Sequence, residues 1–234
     1  MPDTAIWKLC TYANNAWSQH FRGVDGYENV KVEEGYLKLR AWKDNGTYKN
    51  GGVFSKIGFP CGTRLEVKAR LTKLVRGGFP AIWQMPMGAP EWPRGGEIDL
   101  MEWVQGSPKQ IFQTVHTFYI NGENGSAGVT NKEPDKNFDV TKDHVYAVQR
   151  TEKELIFYVD GKETWKYENQ HLDKEKLQYP FCEYPFNIIL NFSLGGELNG
   201  MMTWPGEIHD EDLPGEMWVD WVRVVLLDNN KINE

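Results

Sequence analysis

The chain has few cysteines, and they are not arranged to hold a metal. Its three cysteines are Cys10, Cys61 and Cys182, which lie far apart in the sequence. None of them has the close neighbouring cysteine or histidine that metal sites use. An odd number permits at most one disulfide bond, and we expect three buried thiols. The sequence therefore predicts no cysteine-bound metal.

A long apolar run is also missing. No stretch approaches the ~20 apolar residues that a membrane-spanning helix needs. The first residues, Met1-Pro2-Asp3-Thr4, lack the basic and apolar regions of a signal peptide. We expect no membrane span, and either a cytosolic protein or one whose export segment has been removed.

Basic residues are outnumbered and form no cluster. The chain has 26 lysines and arginines and 33 aspartates and glutamates, which gives a formal net charge of −7. Nucleic-acid binding normally needs a basic patch, so we expect no nucleic-acid partner. An acidic cleft would also repel sulfated or uronic polymers, which favours a neutral glycan as a binding partner.

Aromatic residues, by contrast, are plentiful. The 234 residues include 10 Trp, 10 Tyr and 11 Phe, which is more than a two-layer core requires. Tryptophan among glycine and proline turns favours β-sheets and suits stacking against sugar rings. The length is that of one sizeable all-β domain. We therefore predict a single domain over residues 1–234.

Short apolar runs separated by turn residues dominate the chain. Val30–Val32 and Tyr36–Ala41 predict a hairpin across a Glu-Glu-Gly turn. His144–Arg150 predicts a second hairpin with Glu154–Gly161, which ends in an Asp-Gly turn. We predict one short helical segment, at Asp173–Leu177. Many short strands without repeats or a βαβ rhythm are typical of an antiparallel β-sandwich or jelly roll.

The most informative stretch is Gly95–Trp103, in which Glu97, Asp99 and Glu102 alternate with apolar residues. On a strand Glu97 and Asp99 point to one face, whereas Glu102 has the wrong parity. One extra residue at Leu100-Met101, a β-bulge, would return Glu102 to that face, and bulges are common beside active sites. The outer Cα atoms would then lie about 13 Å apart, and inward-leaning side chains could close the gap between the carboxyl groups to about 5–5.5 Å.

Four other interpretations of this stretch are weaker. A helix is disfavoured by Gly95-Gly96 and the upstream Pro93. An exposed acidic strand edge would not explain the interleaved apolar residues. A hard-cation site usually gathers loop carbonyls and waters as well, and an aspartic protease needs two separate loops. Paired carboxylates can instead hydrolyse a glycosidic bond, one as nucleophile and the other as acid and then base.

The motif and the chain around it resemble glycoside hydrolase family 16. Glu97–Glu102 is similar to the family's E-x-D-x-x-E signature in its bulged form. The resemblance covers nearly the whole chain, and further segments follow the family order: Glu34–Leu37, Gly51–Lys56, Gly62–Arg70, Pro80–Trp83, Trp92-Pro93, Phe157–Gly161, Leu190–Gly196 and Val219–Val224.

The resemblance implies a fold and a chemistry. The fold would be a concanavalin-like β-jelly-roll sandwich of two antiparallel sheets with a concave substrate cleft. The reaction would be endo-acting cleavage of β-1,3 or β-1,4 bonds with retention of configuration and no catalytic cofactor. Glu97 would be the nucleophile, Asp99 its helper and Glu102 the acid/base.

The resemblance also suggests binding residues. Trp83 and Trp103 would be stacking platforms, with a core position as the alternative for each, and Trp92 would line the cleft wall. His116 would act near the leaving group, or else be structural. The remaining positions are two polar residues in or near the cleft, Asn29 and Asn191, and a possible ligand of a structural calcium ion, Asp220.

The substrate implied by the resemblance is less sharply defined. Gln113–Tyr119 and Gln178–Phe181 are more similar to the branch that cleaves galactosidic bonds in poly-N-acetyllactosamine, keratan and mucin O-glycans. The alternative is an endo-β-1,3(4)-glucanase acting on laminarin or mixed-linkage glucan. We expect a monomer that is secreted, periplasmic or on the bacterial cell surface. The rival of another class, a non-catalytic carbohydrate-binding jelly roll, would have no use for three crowded acids.

Overall fold

The computed structural model describes residues 1–21, 28–104, 106–122 and 131–228. Strands dominate these residues. In chain order they are β1 (Trp7–Leu9), β2 (Val30–Glu33), β3 (Tyr36–Asp44), β4 (Thr47–Lys49), β5 (Gly51–Ser55), β6 (Thr63–Leu71), β7 (Gly78–Pro86), β8 (Glu97–Glu102), β9 (Ile111–His116), β10 (Asn131–Lys132), β11 (His144–Arg150), β12 (Glu154–Val159), β13 (Lys162–Glu168), β14 (Phe186–Leu194), β15 (Glu197–Leu198), β16 (Met201–Met202) and β17 (Gly215–Leu226).

Two large antiparallel sheets form the body of the molecule. The first has the order β1-β5-β14-β7-β8-β9-β10 and the second the order β13-β12-β11-β6-β17-β3-β2, with β4 paired to β3. A small separate sheet, β15-β16, forms a hairpin. Ile82 and Leu190 of the first sheet share one buried cluster with Val67 and Phe157 of the second. The predicted all-β sandwich of two antiparallel sheets is therefore confirmed.

Most predicted elements are present. The β2–β3 and β11–β12 hairpins pair as predicted, and a 3-10 helix occupies Lys174–Lys176 within the predicted helical segment. A second 3-10 helix spans Asp210–Asp212. The short helix α1 (Phe118–Asn121) was not predicted, because its residues read as the continuation of a strand. Among the described residues, no helix is both long and apolar enough to cross a membrane.

The expectation of three buried thiols is wrong for two of the cysteines. Cys61 and Cys182 form a disulfide although 121 residues separate them, whereas Cys10 is free and buried. The sandwich brings together two end loops that the sequence separates. Arg150, which is fully buried, joins the same loops by donating to the carbonyls of Phe59, Pro60 and Phe181.

The first sheet has one face in the core and one open face. On β7, Ile82 belongs to the core between the sheets. Its neighbours Ala81 and Trp83 belong to a separate cluster that includes Ile189 of β14. This alternation follows from the period of two in a strand. The open face is where the three predicted catalytic acids are expected.

Candidate active site

Strand β8 contains the predicted bulge. Opposite β7, Met101 pairs with Ile82 and Asp99 pairs with Trp83, so Leu100 has no partner in that register. Opposite β9, the register shifts between Asp99 and Glu102. Two residues thus occupy the space of one, which is the defining feature of a β-bulge. The prediction made from parity alone is confirmed.

The bulge sorts the side chains of β8 onto the two faces of the sheet. Its apolar residues all enter the core, and they are Ile98, Leu100 and Met101. Because both Leu100 and Met101 point inward, Glu102 returns to the open face. Glu97 and Glu102 then line the same pocket. Without the bulge Glu102 would point into the apolar core, where a carboxylate has no compensating partner.

A buried glutamine satisfies the backbone at the bulge. The Nε2 of Gln113 donates to the carbonyl of Leu100 at 3.1 Å, and its Oε1 accepts from the hydroxyl of Thr164 at 2.6 Å. Thr164 lies on β13 of the second sheet. The irregular segment of β8 is therefore tied to both a neighbouring strand and the opposite sheet, which restrains the spacing of the two glutamates.

Glu97 and Glu102 face a small pocket of about 50 Å³ on the open face. Its other lining residues are aromatic, small or amide side chains: Trp17, Phe79, Ala81, Trp83 and Asn191. The indoles of Trp17 and Trp83 meet edge to face, with 4.9 Å between their ring centroids. Two acids on a wall of aromatic rings suit a sugar, which has both hydroxyl groups and apolar ring faces.

Glu97 lies beside two hydrogen-bonding partners. The indole Nε1 of Trp92 donates to its Oε2, and Asp99 also hydrogen-bonds to it. Burial raises the pKa of Glu97 from 4.5 to about 7, while both hydrogen bonds oppose the increase because they stabilise the anion. Glu97 is thus the acid whose ionised form the site supports.

Glu102 lies in a different environment. Its Oε2 accepts a hydrogen bond of 3.3 Å from the hydroxyl of Thr114. Burial and the charge of Glu97 together raise its pKa from 4.5 to about 8, although the Thr114 hydrogen bond lowers it. The pKa of Asp99 is also well above its usual range, because of burial and of the charges of Glu102 and Glu97. Two hydrogen bonds stabilise the anion of Glu97, whereas the charge of Glu97 disfavours the anion of Glu102, so these contacts favour Glu102 as the acid that keeps its proton.

His116 lies close to Asp99, whereas Thr114 contacts Glu102, the predicted acid/base. It pairs with Glu97 across β8 and β9, its Nε2 is 3.5 Å from Oδ2 of Asp99, and its ring centroid is 5.6 Å from that of Trp92. Burial lowers its pKa to about 4, so the ring is neutral at working pH. The predicted position of His116 is corrected, since Thr114 rather than His116 hydrogen-bonds to Glu102, the predicted acid/base.

Glu97, Asp99 and His116 are the one group of three metal-ligating side chains that the described residues bring together, with ligand atoms within 4.8 Å of one another. The Trp92 indole already donates to Oε2 of Glu97, and the Asn121 amide contacts Nδ1 of His116. We interpret these contacts as support for acid–base chemistry rather than metal binding.

Trp83 and Asn191 form a unit in the pocket wall. The indole Nε1 of Trp83 donates to Oδ1 of Asn191 at 2.8 Å. The Asn191 amide in turn donates to the carbonyl of Phe79 at 3.1 Å and to Oγ of Ser193 at 3.0 Å. Asn191 is 1% exposed, so its main effect on a ligand is to orient the Trp83 ring.

The structure corrects two predicted binding residues. Trp103 is 2% exposed and packs in the core between the sheets, because the residue after Glu102 points to the opposite face. Asn29 is fully buried, where it accepts from the Trp42 indole and donates to the carbonyl of Asn50. Neither side chain reaches the pocket.

The predicted calcium ligand, Asp220, is bound by a lysine. Its Oδ2 lies 2.8 Å from Nζ of Lys68 on the neighbouring strand. A hard cation needs several oxygen ligands, and this ammonium group already neutralises the one carboxylate. These contacts do not fit a calcium site at Asp220, and the possible structural calcium stays a prediction.

Several residues in or beside the site were not predicted. Trp17 lines the pocket from an irregular N-terminal segment. Thr114 contacts Glu102, and Asn121, on the unpredicted helix, contacts His116. Trp204, which is 53% exposed, contacts Phe79 and Phe112 at ring-centroid distances of 5.4 and 5.1 Å. A tryptophan beside the turn residues Pro205-Gly206 was a signal that could have identified Trp204 as an exposed aromatic residue near the pocket.

Comparison with known sequences gives a consistent family. The profile described as "Glycosyl hydrolases family 16" matches residues 17–223. A β-glucanase of Rhodothermus marinus is 34% identical over 69% of this chain and 56% of its own length. A keratan-sulfate endo-1,4-β-galactosidase of Sphingobacterium multivorum is 30% identical over 96% of this chain and 52% of its own length. The chain thus spans about half the length of these curated relatives.

Solved structures agree with this family. One, from work on endo-acting O-glycanases that prominent members of the human gut microbiota express to initiate mucin breakdown, is 97% identical. It covers 97% of this chain and 95% of its own, with a TM-score of 0.94. The laminarinase of Rhodothermus marinus is 29% identical, with a TM-score of 0.78 over 96% of this chain and 91% of its own.

Proposed function

The chain belongs to glycosyl hydrolase family 16, and on that basis we propose that it is a retaining, endo-acting β-glycosidase. The observation that carries this proposal is that Glu97 and Glu102 line one pocket with the aromatic rings of Trp17 and Trp83. Retaining glycosidases place a carboxylate nucleophile and a carboxylic acid on either side of the scissile bond. The bulge at Leu100, which brings both glutamates to one face of β8, supports such an arrangement.

Glu97 is the nucleophile in this proposal. The hydrogen bonds from Trp92 and Asp99 stabilise its ionised form, so it is the acid that loses its proton first. Its carboxylate attacks the anomeric carbon, the bond to the leaving oxygen breaks, and a covalent glycosyl-enzyme forms. Asp99, which remains protonated, donates to Glu97 and holds it in position.

Glu102 is the acid and then the base. With a pKa of about 8 it carries a proton at neutral pH, and it gives that proton to the leaving glycosidic oxygen. Once ionised, it takes a proton from the water that attacks the glycosyl-enzyme. The sugar is then released with its original configuration and Glu97 is restored.

Aromatic side chains bind the sugar rings. Trp83 and Trp17 form the pocket beside the acids, and Trp92, which is 44% exposed, lies next to Glu97. Trp204 contacts Phe112, the residue paired with Glu102. Trp92 and Trp204 thus lie beside opposite ends of the acidic strand, and a glycan chain can pass between them, as an endo-acting enzyme requires.

We propose that the substrate is a poly-N-acetyllactosamine, keratan or mucin O-glycan chain cleaved at internal β-1,4 or β-1,3 galactosidic bonds. The 97% identical structure comes from work on mucin O-glycanases, and a relative across 96% of the chain is a keratan-sulfate endo-galactosidase. The alternative, an endo-β-1,3(4)-glucanase, is supported by the β-glucanase and laminarinase relatives. The much higher identity favours the O-glycan.

A panel of polysaccharides tests the substrate directly. The purified chain is incubated with mucin O-glycans, keratan, laminarin and lichenan, and the products are separated by chromatography. We expect a ladder of oligosaccharides from mucin and keratan, at rates at least about tenfold above those for the glucans. Glu97→Gln is the control for contaminating activity. Oligosaccharides from laminarin or lichenan alone would contradict the galactosidase proposal but not the family mechanism.

The proposed substrate also bears on location and assembly. Mucin and keratan chains lie outside the cell, so we propose that the enzyme is secreted, periplasmic or held at the bacterial cell surface. We propose that it acts as a monomer, because both acids and the aromatic residues of the pocket come from one chain.

A further inference from the structure

The short helix α1 presents one polar side chain to the active site. Thr117 precedes the helix, and its hydroxyl accepts a hydrogen bond of 3.2 Å from the amide of Ile120. Asn121 ends the helix and is 6% exposed. A helix of four residues has little stability of its own, so the contacts of Thr117 and Asn121 help to hold it in place.

The orientation of the Asn121 amide follows from the backbone. Its Oδ1 accepts from the backbone N–H of Thr117 at 3.1 Å, and an N–H group can only donate. The amide oxygen must therefore point to Thr117. The amide nitrogen then faces Nδ1 of His116, 3.1 Å away. A flipped amide would place two donors against each other at Thr117.

This amide orientation determines the tautomer of His116. An amide nitrogen donates, so Nδ1 of His116 accepts, and the single proton of the neutral ring is on Nε2. Nε2 lies 3.5 Å from Oδ2 of Asp99, a buried oxygen with no hydrogen-bond partner. A proton on Nε2 attracts this oxygen, whereas a lone pair on Nε2 would repel it.

We propose that Asn121 is a positioning residue that acts through His116 on Asp99. With its proton on Nε2, His116 turns an N–H group toward Oδ2 of Asp99 and so favours Oδ2 as the unprotonated oxygen. The proton of Asp99 is then on its other oxygen, and Asp99 remains the hydrogen-bond partner of Glu97. The contacts run from Asn121 to His116, from His116 to Asp99, and from Asp99 to Glu97. The effect on hydrolysis rests on the proposed function, but the tautomer does not.

The tautomer can be measured without substrate. In the ¹⁵N-labelled protein, long-range ¹H–¹⁵N NMR spectra distinguish a protonated Nε2 from a protonated Nδ1, and His116→Gln identifies the signals of His116. We expect the Nε2–H form in the wild-type chain. In Asn121→Asp the side chain can only accept, so we expect a proton on Nδ1. Asn137→Asp, an exposed position with the same charge change, should leave the tautomer unaltered.

Kinetics test the consequence for catalysis. We expect kcat of Asn121→Asp to fall roughly 10- to 100-fold, the usual cost of losing an outer hydrogen-bond partner, with little change in KM. The kcat of Asn137→Asp should match that of the wild type.

Three results would each overturn the proposal. The first is a wild-type chain with the proton of His116 on Nδ1, and the second is an unaltered tautomer in Asn121→Asp. The third is an altered tautomer without a loss of kcat. If Asn121→Asp does not fold, the wild-type spectrum alone decides the tautomer. Failure of the proposed function would appear separately, as a wild-type chain that cleaves no glycan.

Discussion

Replacing Glu97 by Gln should abolish glycan hydrolysis while leaving glycan binding intact. The new amide keeps an oxygen that can accept from the Trp92 indole, but it cannot attack the anomeric carbon. Without a nucleophile no glycosyl-enzyme forms, and the loss should be on the order of 10⁵-fold or more, the scale seen for other catalytic nucleophiles. Reducing-end assays measure the activity, and calorimetric titration with an oligosaccharide substrate measures binding.

The melting temperature of Glu97→Gln shows whether a loss of activity reflects lost chemistry or lost folding. Burial raises the pKa of Glu97 from 4.5 to about 7, so between these pH values the folded chain holds a proton that the unfolded chain has released. The contribution of Glu97 to the free energy of unfolding therefore falls as pH rises from 4.5 to about 7.

At pH 8, Glu97→Gln removes an unfavourable buried charge, and its Tm should equal or exceed that of the wild type. Glu91→Gln, an exposed change on the preceding loop, should alter neither activity nor Tm. Hydrolysis within tenfold of wild type by Glu97→Gln would remove Glu97 as nucleophile.

Replacing Glu102 by Gln should give a loss that depends on the leaving group. General acid catalysis contributes about 10²–10⁴-fold, so we expect a loss in that range on natural glycans, whose leaving alcohols need a proton. An aryl glycoside of the same oligosaccharide leaves without protonation. Formation of the glycosyl-enzyme from it should therefore be slowed less than tenfold, which pre-steady-state release of the phenol measures.

The pH profile gives a second test of Glu102. Catalysis needs ionised Glu97 and protonated Glu102, so kcat/KM of the wild type should fall below about pH 7 and above about pH 8, the pKa values of the two groups. In Glu102→Gln the alkaline decline should vanish, because Gln has no proton to lose. Equal losses on both substrates, or an alkaline decline that persists, would show that another group is the acid.

Parity along β8 predicted much of the site without any structure. Two carboxylates at the wrong spacing required one inserted residue, and the structure has Leu100 and Met101 both in the core as a result. The same rule, applied one position further, would have placed Trp103 in the core too. The family resemblance suggested a stacking role, with the core as the alternative, and the alternation of the strand decides for the core.

Other features depend on contacts between distant segments. Trp17 meets Trp83 only because the N-terminal segment crosses the open face, and no local pattern in an irregular segment gives that path. Cys61 and Cys182 pair because the two sheets bring their loops together. The reason that Asn121 was not predicted is local. The aromatic residues of α1 favour a strand, whereas Thr117, which follows β9, caps the start of a helix.

The configuration of the first product tests the central claim most directly. Proton NMR of a reaction started with high enzyme concentration reports the anomeric proton of the new reducing end before it mutarotates. If Glu97 attacks and Glu102 protonates across one pocket, the β anomer appears first and the α anomer grows in afterwards. An α anomer that appears first would mean direct attack by water, and a covalent role for Glu97 would be excluded.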